Sequence, residues 1–157
     1  MIKIILPKKI SDKLVAALKE AGDREIGGIL MGEHLAENVF RIMDITVQRK
    51  GGSFASFIRV IQGILGPIKR FFQLTGHNYK RFNYLGEWHS HPAFSLAPSC
   101  KDQKTMCEIV EDPLVGANFA VLMIVKQETD QLQGTVTIFM PGRRMFKGDL
   151  IREELTG

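Results

Sequence analysis

The chain has 157 residues, 45% of them apolar and 24% charged, enough for one domain with a sizeable core and too apolar for a disordered chain. Its formal net charge is +4, but the cations come in pairs separated by apolar sequence (Lys8-Lys9, Arg49-Lys50, Lys69-Arg70, Lys80-Arg81, Arg143-Arg144), so no nucleic-acid partner is expected. No apolar run reaches membrane-spanning length and residues 1–7 lack a signal-peptide pattern, so the expectation is a soluble protein, without a membrane partner, in the reducing cytoplasm.

Residues 1–6, rich in isoleucine, predict a first strand. Ser11 is placed to cap a short helix whose apolar stripe is Ile10, Leu14, Val15 and Leu18 and whose stop is Gly22. Residues 25–32 predict a buried strand, and the Gly27-Gly28 pair implies that something approaches the backbone closely. A further strand is predicted over 39–47, between Asn38 and an Arg49-Lys50-Gly51-Gly52 turn. From 53 to 83, Phe54, Phe57, Ile58, Ile61, Ile64 and Leu65 recur at helical spacing, Gly66-Pro67 interrupts them, and Ile68, Phe71, Phe72 and Leu74 resume. That segment reads as a helical insertion, either packed as core or used as a flap or partner surface. Residues 84–92 predict a strand ended by Pro92, and 99–111 a helix opened by Ser99 and stopped before Asp112-Pro113. Two more strands are expected over 119–126 and 132–140, around a polar turn near Thr129-Asp130-Gln131, and a terminal helical turn over 149–155. The sum is a single α+β domain over residues 1–157, a mixed sheet flanked by helices.

The chemistry concentrates in residues 87–102. His89 and His91 are separated by one residue, so on a strand both imidazoles face one way while Trp88 and Ser90 face the other. Ser99 follows His89 by ten residues, and Asp102 follows Ser99 by three. Two histidines and a carboxylate with one open position are the ligand composition of a catalytic zinc site. Ser99 and Asp102 also have the spacing of a helix capping box, so the same two residues carry a structural reading beside the chemical one. Glu87 shares the histidine face and is a rival base or ligand, but its Cα lies about 7 Å from that of His89 on a strand, which suggests a supporting or surface place. Cys100 invites a cysteine-nucleophile reading, which would use histidines better placed for metal. Cys100 and Cys107 lie seven apart on one helix, about 10 Å along its axis and too far for a disulfide. His34 and His77 sit in polar surroundings and read as surface residues.

The pattern His89-Ser90-His91-Pro92, then Ser99-Cys100-Lys101-Asp102, with Glu25 upstream in Glu-x-Gly-Gly-x-Leu-x-Gly, resembles the JAMM/MPN+ (JAB-type) metalloprotease family. The resemblance covers about residues 1–145 and every motif element is present. It implies a cytidine-deaminase-like arrangement of sheet and helices and one catalytic zinc ion held by His89, His91 and Asp102. It also implies Glu25 as general base and Ser99 as hydrogen-bond donor to the developing oxyanion. Residues 84–92 are similar to short prokaryotic JAB proteins, including deconjugating proteases of CBASS anti-phage systems. The implied reaction is hydrolysis of an amide after the extended C-terminal tail of a ubiquitin-like protein or a conjugated nucleotidyltransferase, with Gly27-Gly28 admitting the tail as an added strand. A sulfur-carrier-processing protease is the alternative enzyme, and a non-catalytic MPN scaffold the alternative of another class.

Overall fold

The computed structural model describes residues 1–48, 69–93, 95–113 and 117–153. Among these residues eight strands form one mixed sheet. They are β1 (Lys3–Leu6), β2 (Gly27–Ala36), β3 (Val39–Ile45), β4 (Phe82–Ser90), β5 (Ala120–Glu128), β6 (Gln131–Met140), β7 (Arg144–Lys147) and β8 (Asp149–Arg152), with helices α1 (Lys8–Ala21) after β1 and α2 (Cys100–Glu111) after β4. The order across the sheet is β7-β6-β5-β4-β2-β3-β1-β8. Its two outermost strands are consecutive in the chain and meet at Gly148, whose N–H donates to Val136 O at 3.0 Å while the next N–H, of Asp149, donates to Ile2 O at 3.0 Å. The chain thus leaves the β6 edge and joins the β1 edge within one residue, which curls the sheet into a barrel-like form and covers edges that would otherwise be open. The helical turn expected at 149–155 is therefore incorrect. Residues 149–152 are β8, parallel to β1, because pairing with an open strand edge outweighs a short helix with little to pack against.

α1 begins earlier than expected. Pro7, with φ −66°, is its N-cap, and its carbonyl accepts the N–H groups of Ile10 and Ser11 at 3.0 Å. Proline loses nothing at a helix start, where its missing N–H would have no partner. Ser11 lies inside the helix, buried with Ile10, Leu14, Ala17, Leu18 and Ala21. Gly22 takes φ +62° and donates its N–H to Leu18 O, the left-handed stop that glycine adopts without strain.

The sheet has a core on each face. One joins α1 to Ile4, Leu30, Ile42, Trp88, Val121 and Met123; the other joins Met106, Ile109 and Val110 of α2 to Ile29, Leu122, Ile124 and Phe139. β5, with residues 120–125 all buried, is covered on both faces, which explains its unbroken apolar run. Trp88 is fully buried and its Nε1 donates to Thr46 O at 2.8 Å, pinning the C-terminal end of β4 from the side opposite the histidines.

The insertion expected over 53–83 falls largely outside the described residues. Within it, 69–74 are helical and Phe71 is buried in the α2-side core, whereas Leu74 is exposed. Its last two residues, Phe82 and Asn83, already belong to β4. Among the described residues no helix is long and apolar enough to cross a membrane.

Candidate metal centre

β4 ends at Ser90, but His91 continues its line by donating its N–H to Val125 O at 3.0 Å. His89 and His91 are each 7% exposed, with rings stacked 4.8 Å apart at 26° and Nε2 atoms 3.0 Å from one another. Nδ1 of His91 lies 2.8 Å from Ser95 O. A carbonyl only accepts, so Nδ1 carries the proton and Nε2 offers a lone pair.

The third group comes from α2. Ser99 is its N-cap and makes a reciprocal capping box with Asp102: Asp102 N–H donates to Ser99 Oγ at 3.0 Å and Ser99 N–H to Asp102 Oδ2 at 2.8 Å. The carboxylate so fixed lies with Oδ1 3.3 Å from His89 Nε2 and Oδ2 3.4 Å from His91 Nε2. The capping and chemical readings of Ser99-x-x-Asp102 are therefore both met by one geometry. Burial alone would raise the Asp102 pKa, but hydrogen bonding and charge from His89, with the backbone and side chain of Ser99, outweigh it and lower the pKa to about 2. An ionised carboxylate thus converges with an imidazole lone pair and a second imidazole.

The three donor groups fit zinc. One ligand atom from each lies within 4.8 Å of the others; the two Nε2 atoms are 3.0 Å apart, and each carboxylate oxygen faces one imidazole, Oδ1 at 3.3 Å and Oδ2 at 3.4 Å. Donors around a tetrahedral ion with bonds of about 2.0–2.1 Å are roughly 3.3 Å apart.

Glu87 is not a surface residue. It is 2% exposed, and burial followed by the charge of Asp102 raises its pKa to about 8. Glu25, by contrast, is exposed, and among the described residues no hydrogen bond or ion pair joins its carboxylate to the other three. The segment that bears it is tied to the histidine strand: Gly27, the first residue of β2, pairs with His89, Ser90 N–H donates to Ile26 O at 2.9 Å, and Ile26 N–H to Ser90 Oγ at 3.0 Å. Ser99 is exposed and accepts through Oγ, which leaves its hydroxyl proton to donate.

Two contributors were not visible in the sequence. Ser95 acts through a backbone carbonyl, which no side-chain pattern reveals. Ser90, fully buried, points away from the histidines and ties the segment bearing Glu25 to their strand. The expectation that an extended tail adds as a strand beside Gly27-Gly28 is not met. A Cβ on Gly28 would lie 1.9 Å from Thr46 O, and Gly27 exchanges both backbone hydrogen bonds with Gln48 on the side opposite β4. The chain itself makes the close approach that the glycines permit. Cys100 is exposed and Cys107 half-buried, and neither joins the donor group. His34 and His77 are exposed, with His34 stacked on Phe40 at 4.7 Å.

A mixed sheet that presents His-x-His at the end of a central strand, beneath an acid in the first turn of the next helix, defines a JAB-type domain. The family model described as prokaryotic homologs of the JAB domain matches residues 7–136, and the chain belongs to that family. It is 29% identical over 108 residues to the CD-NTase/cGAS isopeptidase of Enterobacter hormaechei subsp. hoffmannii (strain UCI 50), a match covering 68% of this chain and 57% of that relative. The chain thus spans little more than half the relative's length. The solution structure of protein DSY2949 from Desulfitobacterium hafniense has the same fold, with a TM-score of 0.65 at 17% identity over 97% of this chain and 94% of that one.

Proposed function

We propose that the protein is a zinc-dependent isopeptidase that hydrolyses the amide following the C-terminus of a conjugated protein. The observation that carries this reading is the convergence of His89, His91 and Asp102 at separations of 3.0–3.4 Å in a member of the JAB family. Held by the two Nε2 atoms and the Asp102 carboxylate, zinc would supply a Lewis acid for the scissile carbonyl and lower the pKa of a water towards ~7. The chain's own groups do the rest. Glu25, two residues before the glycine that pairs with His89, takes a proton from the attacking water and delivers it to the leaving amine. Ser99 donates its hydroxyl proton to the carbonyl oxygen as charge develops there, and Ser95 O holds the His91 ring in one tautomer. The identity with the relative named CD-NTase/cGAS isopeptidase supports a conjugated nucleotidyltransferase as substrate, and with it a cytoplasmic role in anti-phage defence. Part of the same reading is a single catalytic domain with a cytidine-deaminase-like arrangement, supported by α1 and α2 packing on opposite faces of a mixed sheet.

The test is incubation with a bacterial nucleotidyltransferase of the CD-NTase class whose C-terminus is joined through an amide to a reporter protein. Wild type is compared with Glu25→Ala and with chelator-treated protein, and zinc content is measured in each. Cleavage by wild type alone, with zinc retained in Glu25→Ala, is expected. Equal cleavage in all three samples would discard the mechanism.

A further inference from the structure

One row of residues crosses the sheet from the donor group to β6. His89 pairs with Ile124 on β5, and Ile124 pairs with Thr135 on β6, so the three side chains share the face on which α2 packs. Thr135 is half-buried, and its hydroxyl donates to Leu96 O at 2.7 Å. Leu96 lies in the loop between β4 and α2, and the carbonyl one residue before it, of Ser95, is the acceptor 2.8 Å from His91 Nδ1. Two consecutive carbonyls are thus engaged, one by the imidazole and the next by β6. The loop is not packed flush on the sheet here. Ser95 and Ala97 are exposed, and an open groove of about 470 Å³ is lined by Ala97 and Pro98 together with Thr137, Met145 and Phe146. Valine, also β-branched, would suit the strand as well as threonine does, so the hydroxyl needs a reason of its own.

We infer that Thr135 is a positioning residue of the metal centre, which sets the Ser95 carbonyl through Leu96 and, through that carbonyl, the ring of His91. The inference rests on the metal reading above. Successive peptide planes are rigid and share one Cα, so a shift of Leu96 O swings Ser95 O with it. The His91 ring follows, because its Nδ1–H donates to that oxygen, and Nε2 moves with the ring. The Leu96 side chain packs against the α2-side core, but an apolar contact has no direction and holds the loop down without aiming its carbonyls. The hydrogen bond from Thr135 supplies the aim. His89 takes its place directly from the cross-strand row, and His91 takes its ring orientation from the far end of the same row. One line of sheet residues therefore governs the spacing of both imidazoles.

The experiment compares wild type, Thr135→Val and Thr135→Ser as full chains. It measures zinc affinity by competition with a chromophoric chelator, melting temperature in metal-free buffer, and the exchange of the His91 ring N–H with water by proton NMR of the metal-free protein. Thr135→Val should weaken zinc binding by about 3–10-fold, the size of one net hydrogen bond, and its His91 ring proton should exchange faster than in wild type. Thr135→Ser keeps the hydroxyl and loses a methyl group from the sheet. It should melt below wild type yet bind zinc within twofold of it, with the ring proton protected as before. A Val variant with zinc affinity within twofold of wild type overturns the inference and leaves the metal reading standing. So does a Ser variant that binds zinc as weakly as the Val variant, which would make Thr135 a packing contact. Wild type that takes up no zinc overturns both.

Discussion

An acid with little exposure lies near each end of the β2–β4 ladder, Glu33 on β2 and Asp102 on α2, and the two are balanced in opposite ways. Glu33, paired with Phe82, is 4% exposed and is met by Nε and Nη2 of Arg81 at 2.6 Å, with Arg41 Nη1 at 4.0 Å. Roughly 20 Å away along the strands, Asp102 is met by two imidazoles and Glu87 by no arginine or lysine among the described residues. Arginine never gives up its charge, so the Glu33 end is complete as folded and its work is structural. The other end uses groups that are neutral or lose a proton when a metal arrives. A buried carboxylate with a permanent partner marks architecture; Asp102, met by two imidazoles and the Ser99 N–H, has the surroundings expected of the metal site proposed above.

The contrast breaks most sharply at Asp102. Asparagine there can still accept from Ser99 N–H, so Asp102→Asn should lower stability by no more than about 1 kcal/mol. Zinc affinity should fall by more than about 100-fold, since groups merely supporting a ligand already account for 10–100-fold; metal titration beside urea denaturation checks both. Ser90→Ala sharpens the comparison within the metal end. It leaves a buried Ile26 N–H without its acceptor and should cost about 1–3 kcal/mol, with zinc still bound and turnover reduced because Glu25 loses its anchor. At the far end Arg81→Ala should cost about 1–2 kcal/mol, less than for a fully buried pair because the Arg81 side chain is 59% exposed and Arg41 remains near. Zinc stoichiometry there should not change, and a loss of zinc in this variant would undo the contrast. The smallest effect concerns Tyr84, whose pKa is raised well above 10 by burial and then by Glu87. The folded protein keeps that proton at pH values where the unfolded chain releases it. The stabilisation is therefore complete below about pH 10 and is lost as pH climbs past it. Tyr84→Phe should flatten the fall in melting temperature between pH 9 and pH 11.

The donor set was legible because its geometry is local. Alternation on a strand places His89 and His91 together, and a helix that starts at Ser99 carries Asp102 back to them within a short loop. The same locality made α2 readable almost to the residue, from its cap to Asp112-Pro113. What escaped depends on partners distant in sequence. Residues 149–152 form a strand only because β1 offers an edge. The surroundings of Glu87 depend on β2 and β5, so its burial could not be judged from β4 alone. The glycine pair announced a close approach, but the approaching group, Thr46, lies 18 residues beyond Gly28 and is brought there by the β2–β3 hairpin.

Oδ2 of Asp102 serves Ser99 N–H and faces His91 at once. Whatever occupies the site therefore also decides how firmly the first turn of α2 is closed. On the proposed reading, filling the centre and closing that turn would be one thermodynamic event, with Ser99 set in place by the carboxylate that would hold the ion.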